Sequence, residues 1–330
     1  TTSLVHQMDS DFVSYGQAYY THKIMAGQDK NSDAEVFIST WQSIYKQPKK
    51  WFDQFDVVIG DEAHLFKAQS LTKILTKLEG CKYRYGFTGT LDETKTHRLV
   101  LEGLFGPVMR AIQTKELIEN KTLADFRIKC LVLKYPDNVR KDLAKSTYQD
   151  EIQFLIASSQ RNNFIKNLAL GRTGNTLLLF QMVEKHGRIL YNIINSEAKD
   201  RKVFFVHGGV DAETREDIRA ITEKENDAII VASYGTFSTG INIKALHNII
   251  FASPTKSRIR NLQSIGRGLR RSETKTTATL YDISDDLCWK TYNNHTLKHF
   301  AYRLKIYKEE EFPFTIYNIR LNYDPHTQII

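Results

Sequence analysis

The sequence predicts an α/β chain of two parallel-sheet domains in tandem, with a small C-terminal helical extension. Three observations carry this. Apolar, β-rich runs alternate with amphipathic stretches along the chain, the pattern of parallel strands covered by helices. The alternation is broken around Gly106-Pro107 and Glu119-Asn120-Lys121 and then resumes. At 330 residues and 38.2 kDa, the chain is long enough for two separate cores. The domains are expected at residues 1–122 and 123–285, with the extension at 286–330.

In the first series, strands are expected at 36–39, 57–60 and 84–88, each followed by a polar turn and a helix-like segment. The second series begins near Phe126, with strands expected at 128–133, 176–180, 203–206, 228–232, 248–252 and 277–283. Asp211, ahead of Glu213-Thr214-Arg215, is a helix-cap signal. Beyond Asp286, Leu297, Phe300, Ala301, Leu304 and Tyr307 recur at helical spacing, and a short strand at 314–321 follows. There is no repeat of solenoid period and no low-complexity tract.

Composition excludes several classes. No apolar run approaches the roughly 20 residues that a membrane span requires, so no membrane partner is expected. The first seven residues lack the basic and apolar regions of a signal peptide. Cys81, Cys130 and Cys288 stand far apart with no C-x-x-C pair, which argues against a zinc ribbon or disulfide framework and fits a reducing cytoplasm. The net charge of +8 and pI near 9.1 favour a polyanionic partner, a trait shared by many basic proteins that bind none.

Four segments hold the chemistry. An apolar strand at 57–60 runs directly into Asp61-Glu62-Ala63-His64, placing two carboxylates at the carboxyl edge of a parallel sheet, where such folds bind ligands. One carboxylate there can hold Mg²⁺ and its waters beside phosphates, and the next can orient or deprotonate an attacking water. A solvated turn would read the same way in isolation. Tyr85-Gly86-Phe87 leads into Thr88-Gly89-Thr90, a strand ending in small hydroxyl residues or simply in a capped turn. After the strand at 228–232, hydroxyls and glycines through Thr239-Gly240-Ile241-Asn242 offer phosphate donors with little obstruction, or a turn with caps. Gln263, Arg267 and Arg270 lie on a helix-like segment with the arginines three apart, able to grip phosphate oxygens or to form a solvated basic face.

Taken together, Asp-Glu-Ala-His, Thr-Gly-Thr, Thr-Gly-Ile-Asn and Gln-x-x-Gly-Arg-x-x-Arg, in that order and spacing, resemble the superfamily 2 helicases. Their two RecA-like domains close on ATP. The resemblance implies that Asp61 organises Mg²⁺ through water, that Glu62 is the general base, and that His64 with Thr88, Gly89 and Thr90 couples ATP state to domain closure. It implies that Gly240 and Asn242 face the nucleotide, and that Gln263, Arg267 and Arg270 form the last motif, its arginines reaching the γ-phosphate. Asn242 stands where an aspartate is common, which puts its ribose contact in question. Thr1 and Thr2, in a segment like the family's first DNA-contacting motif, would touch nucleic acid, as would Thr40, Gly208 and Thr239. Trp41-Gln42-Ser43, Tyr135-Pro136-Asp137, Phe237-Ser238-Thr239-Gly240 and the tail from Leu297 are similar to the UvsW-type recombination helicases of T4-like phages. That group implies action on branched or single-stranded DNA and RNA–DNA hybrids, a host-cell cytoplasmic location and a monomer. A duplex-DNA translocase subunit, an RNA helicase and a non-catalytic nucleic-acid-binding module are the rival readings.

No G-x-x-x-x-G-K-[ST] occurs in the sequence. Gly171-Arg172-Thr173-Gly174-Asn175-Thr176 lacks the lysine and precedes a strand instead of following one, so it reads as a loop. The phosphate loop is expected before Thr1 in a parent protein, and the 330 residues alone are expected to have little ATPase activity. His295 and His299 read as a packed helix face, not a metal site. Lys305 to Glu311 reads as a solvated charge run. Tyr19, Tyr20, Tyr83 and Tyr85 read as packing residues sooner than as base-stacking platforms.

Overall fold

The computed structural model describes residues 2–16, 21–89, 95–109, 114–240, 243, 245–253, 257, 265–266 and 276–321. The chain divides into two compact units, Thr1–Arg110 and Ala111–Ile330.

In the first unit, helix α1 (Thr2–Ser14) precedes β1 (Thr21–Ile24) and β2 (Val36–Ser39), which pair in parallel. Asp9 of α1 accepts a hydrogen bond from Thr21 Oγ1 at 2.8 Å and pairs with Lys23, fastening the helix to the strand. Two short helices, α2 (Trp41–Ile44) and α3 (Lys49–Phe52), lead to β3 (Val57–Gly60). A 3₁₀ turn (Ala63–Lys67), α4 (Gln69–Lys77), β4 (Tyr83–Gly86) and α5 (Lys95–Phe105) follow. Strands β3 and β4 are parallel, with Val57 opposite Tyr83 and Gly60 opposite Gly86. One face of this pair is packed: Phe52, Leu71, Ile74, Leu75 and Leu78 form a small core with Val58, Phe66 and Phe105 against it. The other presents Val57, Ile59, Tyr83, Tyr85 and Phe87, all about half exposed or more.

The second unit contains α6 (Thr114–Glu119), β5 (Asp125–Lys134), α7 (Asp137–Asp142), α8 (Tyr148–Ala157), α9 (Ser159–Leu170) and β6 (Thr176–Phe180). A single π turn (Val183–Gly187) opens α10 (Arg188–Asn195). Then come β7 (Val203–Val206), α11 (Ala212–Lys224), β8 (Ile229–Ser233), α12 (Tyr234–Gly240), β9 (Asn248–Phe251), β10 (Thr277–Asp286), α13 (His295–Glu309) and β11 (Phe314–Arg320). The seven strands form one parallel sheet in the order β11-β5-β10-β9-β6-β8-β7. Parallel strands are covered on both faces, and the side-chain period of two separates the cores. Phe126, Ile128, Cys130, Leu177, Leu179, Ile230, Ile249, Phe251 and Leu280 pack on one face. Leu131, Leu133, Leu178, Phe180, Ile229, Val231, Ile250, Tyr281 and Ile283 pack on the other.

Residues 286–321, within the stretch read from sequence as an extension, are tied into this unit. Strand β11 pairs with β5 over seven residues. Arg303 of α13 is fully buried and grips Asp282 of β10 with two bonds of 2.7 and 2.8 Å, with Ser284 Oγ at 2.7 Å. Glu151 of α8 accepts from the backbone amides of His295 and Thr296 at 2.8 and 2.7 Å, so a carboxylate from another element caps α13. The unit also begins at Ala111, so it takes in α6, which the sequence reading assigned to the first domain. Asp211 caps α11, accepting from the Thr214 amide at 2.8 Å. The three cysteines are free thiols.

Candidate functional site

Because β3 and β4 run in parallel and in register, their exits lie side by side. The Phe87 amide donates to the Gly60 carbonyl and the Ala63 amide donates to the Phe87 carbonyl, each at 2.8 Å. The Asp61-Glu62 turn is thereby laced to the strand that ends in Thr88-Gly89. Asp61 is exposed, and its Oδ1 accepts the Glu62 amide at 2.8 Å. Glu62 has φ +49°, a left-handed conformation unfavourable for a residue with a Cβ, and its side chain is 41% exposed. His64 is 5% exposed; its Nδ1 lies 2.9 Å from Thr88 Oγ1 and 3.3 Å from Glu62 Oε2. One buried imidazole therefore touches both the second carboxylate and the hydroxyl at the end of the neighbouring strand.

Close packing holds this geometry. A Cβ on Gly60 would stand 2.8 Å from the Phe66 ring and 3.1 Å from Phe105, and one on Gly86 would stand 2.9 Å from Ala63 Cβ. The two glycines let the turn that bears His64 lie flat against the strands. The sequence reading passed over Gly60 and Gly86; their signal was their position at the ends of apolar strands.

Asp61, Glu62, His64, Thr88 and Gly89 are thus brought together. Thr40 sits at the start of α2, with its Oγ1 2.9 Å from Ser43 Oγ. Thr2 lies in α1. In the second unit, the exits of β7, β8 and β9 share one edge of the sheet. Gly208 follows β7, and its carbonyl accepts from Arg215 at 3.4 Å. Thr239 and Gly240 end α12, the helix entered from β8, where Ser233 Oγ and Thr236 Oγ1 lie 2.9 Å apart. Thr1, Thr90, Asn242, Gln263, Arg267 and Arg270 lie outside the described residues.

The loop at 171–176 is a latch at the amino end of the sheet. Buried Asn175 donates to the carbonyls of Thr222 and Glu225 at 2.8 and 2.7 Å and accepts from the Ala228 amide at 2.8 Å. Gly174, at φ +86°, lies against His247. These groups are spent on protein partners, which leaves no phosphate cradle. His295 and His299 pack on the Tyr148 ring, with centroids at 6.0 and 5.3 Å. Among the described residues, no group of three or more His, Cys, Asp or Glu could hold a metal ion. Mg²⁺ carried by one carboxylate together with phosphate oxygens needs no such cage, so exposed Asp61 fits that role. No helix among the described residues is long and apolar enough to cross a membrane.

Comparisons with known proteins give this arrangement a family. The family described as type III restriction enzyme, res subunit, matches residues 1–93, and the helicase conserved C-terminal domain matches residues 159–272. The ATP-dependent DNA helicase UvsW of Enterobacteria phage T4 is 36% identical over 342 residues, covering 97% of this chain and 67% of UvsW. The crystal structure of T4 UvsW superposes with a TM-score of 0.53 at 34% identity, covering 97% of this chain and 66% of that one. Dbp5 of S. cerevisiae, bound to RNA and ADP BeF3, shares the fold alone: TM-score 0.59 and 14% identity over 97% of this chain and 75% of that one. The chain therefore spans about two thirds of the length of T4 UvsW. With tandem RecA-like domains and this match to UvsW, the chain belongs to the superfamily 2 helicases.

Proposed function

We propose that this chain is the motor portion of an ATP-dependent DNA helicase or branch-migration translocase. Its substrates would be branched or single-stranded DNA and RNA–DNA hybrids in phage recombination and replication, within the host-cell cytoplasm. The observation that carries the reading is the Asp61-Glu62 turn joined through buried His64 to Thr88, in a chain 36% identical to UvsW.

In this reading Asp61 would hold Mg²⁺ through water, and the bound ion would supply neutralisation of phosphate charge. Glu62 orients and deprotonates the attacking water. Its left-handed backbone and its neighbour His64 restrict where the carboxylate points, and His64 transmits a shift of Glu62 to Thr88. Gly240 and Asn242 contact the nucleotide. Gln263 belongs to the segment that presents Arg267 and Arg270 to the γ-phosphate, where such a guanidinium contributes roughly 10³ to 10⁵ in rate. Thr1, Thr2, Thr40, Gly208 and Thr239 contact the nucleic-acid backbone, and Thr88, Gly89 and Thr90 couple the two events. Charge distribution supports a polyanion partner: Lys and Arg balance Asp and Glu in Thr1–Arg110, so the whole surplus of +8 lies in Ala111–Ile330. The protein works as a monomer.

No phosphate-binding loop of the G-x-x-x-x-G-K-[ST] kind occurs among these 330 residues, so alone they turn over ATP little or not at all. The test is a fusion to the phosphate-loop region of T4 UvsW, with ATP turnover and strand displacement measured on forked DNA, four-way junctions, R-loops and duplex RNA. Turnover stimulated by branched DNA and lost in Glu62→Gln and Arg267→Ala is expected. Salt-dependent DNA binding that ignores ATP analogues and both substitutions would instead make the chain a binding module, and a preference for duplex RNA would make it an RNA helicase.

A further inference from the structure

Parallel sheets are ordinarily covered on both faces, yet one corner of the large sheet is open. It lies at the amino ends of β10, β5 and β11, on the face opposite Phe126 and Ile128. There Thr279 is in register with Arg127, and Lys129 stands between Tyr281 on β10 and Thr315 on β11. Arg127, Thr315 and Tyr317 are exposed, and Thr279 and Lys129 are half-buried. Two cations meet at Tyr281, itself only 5% exposed. Lys129 Nζ lies 5.8 Å from the centroid of its ring, and Arg172 Cζ, from the loop after α9, lies 5.5 Å from it. Arg172 Nη1 also donates to Tyr281 Oη at 3.3 Å. Arg127 precedes Lys129 by two positions, on the same side of β5 and roughly 7 Å away along the strand.

These three cations lack what other cations of the unit have. Arg140, Arg161, Arg188, Arg201, Arg219 and Arg303 each pair with a carboxylate. Among the described residues Arg127, Lys129 and Arg172 pair with none, and Arg172 Nε is buried without a hydrogen-bond partner. Gly174 and Asn175 of its loop are spent on protein partners; Arg172 is not. A ring face and a phenol oxygen attract a cation and leave its charge intact, and like charges held close repel one another. An anion brought to this corner relieves both. Arg127 and Lys129 also line a cleft of about 510 Å³ that Glu119, Glu310 and Glu311 border. Those carboxylates come from the ends of α6 and α13, where Ile118 and Phe312 pack with Phe126 on the other face. On the basic side, Asp125 lies at the outer end of β5, beyond Arg127.

We propose that Arg127, Lys129 and Arg172 form a further nucleic-acid site, one that takes the phosphates of a single strand at the amino edge of the large sheet. It lies at the opposite edge from the exits of β7, β8 and β9, and it has no part in ATP chemistry. Guanidinium, ammonium and the hydroxyls of Thr279 and Thr315 are groups that hold phosphodiester oxygens. Tyr317, 43% exposed on the same side of the sheet, is a platform on which a base stacks. The proposal rests on the functional reading above only for the class of partner, a nucleic acid.

Equilibrium binding of the 330-residue chain to a labelled oligo-dT strand, without nucleotide and over a series of salt concentrations, tests this. Each phosphate contact to a single strand adds about 0.7 to the slope of log affinity against log salt, or about five-fold between 1 M and 0.1 M salt. Arg127→Gln combined with Lys129→Gln should therefore lower the slope by about 1.4 and weaken binding about 25-fold at 0.1 M salt. Tyr317→Ala should weaken binding about ten-fold and leave the slope unchanged. Lys141→Gln combined with Lys224→Gln removes the same charge from exposed positions on α7 and α11 and should leave the slope where it was. A wild-type slope in the Arg127 and Lys129 variant overturns the proposal, as does an equal fall in the Lys141 and Lys224 control. Inorganic phosphate that competes as well as oligo-dT, phosphate for phosphate, overturns the assignment to a nucleic acid. Failure of the ATP and strand-displacement assays, with these binding results intact, would strike the motor reading alone.

Discussion

His186 makes stability of the larger unit depend on pH in a way that one substitution isolates. Burial, and then the nearby Arg161 guanidinium, depress its pKa from 6.5 to about 3. Among the described residues, the charged group that acts on this ring is Arg161, itself paired with Asp285. Between those two pH values the unfolded chain binds a proton here and the folded chain does not. Unfolding free energy therefore rises with pH across the window: the contribution is complete above about pH 6.5 and is lost as pH falls toward 3. One proton corresponds to about 1.4 kcal/mol per pH unit, or about 5 kcal/mol over the whole window. Urea unfolding at pH 7, 6, 5 and 4.5, followed by Trp289 fluorescence in a Trp41→Phe, Trp51→Phe background, measures it, because Trp289 is then the only tryptophan and lies in the larger unit. Wild type should lose about 1.4 kcal/mol more per pH unit below pH 6 than His186→Asn does. Equal slopes for the two proteins would refute the claim that the ring is held neutral.

The Asp61-Glu62 turn and its supports allow further measurements. Gly60→Ala should lower the stability of the smaller unit by about 1–3 kcal/mol, because the added methyl meets Phe66 and Phe105; thermal unfolding followed by Trp51 reads this. A double-mutant cycle of His64→Ala and Thr88→Ala should show a coupling of about 1 kcal/mol in denaturant unfolding, and additive losses would mean that the 2.9 Å contact contributes nothing. Arg303→Ala should destabilise the larger unit by about 3–5 kcal/mol, since it leaves Asp282 buried without its cation, whereas Arg303→Met combined with Asp282→Asn should recover much of that loss.

Elements whose apolar period was clean were legible from the residues alone. The strands at 36–39, 57–60, 176–180 and 203–206 coincide with β2, β3, β6 and β7. Strand β1 went unseen because Thr21-His22-Lys23-Ile24 shows one buried apolar side chain and derives its identity from pairing with β2. Strand β10 runs on through Ser284, Asp285 and Asp286, where polar residues suggested an end. Asp285 stays in the sheet because Arg161 neutralises it from 124 positions away, a pairing with no local signature. The carboxylates and Thr88 of the site were legible as motifs, and their adjacency came from parallel register. The ties of Arg161 and His186 to Ala252 and Ser253 at the end of β9 were not, because nothing local to either residue marks its distant partner.

The bare face of β3 and β4 bears on how the protein should behave in a test tube. Val57, Ile59, Tyr83, Tyr85 and Phe87 present water with a nearly continuous oily plate, while the core behind it is small. A two-stranded sheet with one wet apolar side has little to resist heat with. Melting should accordingly proceed in two stages, with Thr1–Arg110 loosening first and Ala111–Ile330 later. Clouding of the solution and uptake of a fluorescent apolar dye should follow the first stage. Shelf life would then be governed by the smaller unit, however firmly the larger one is built.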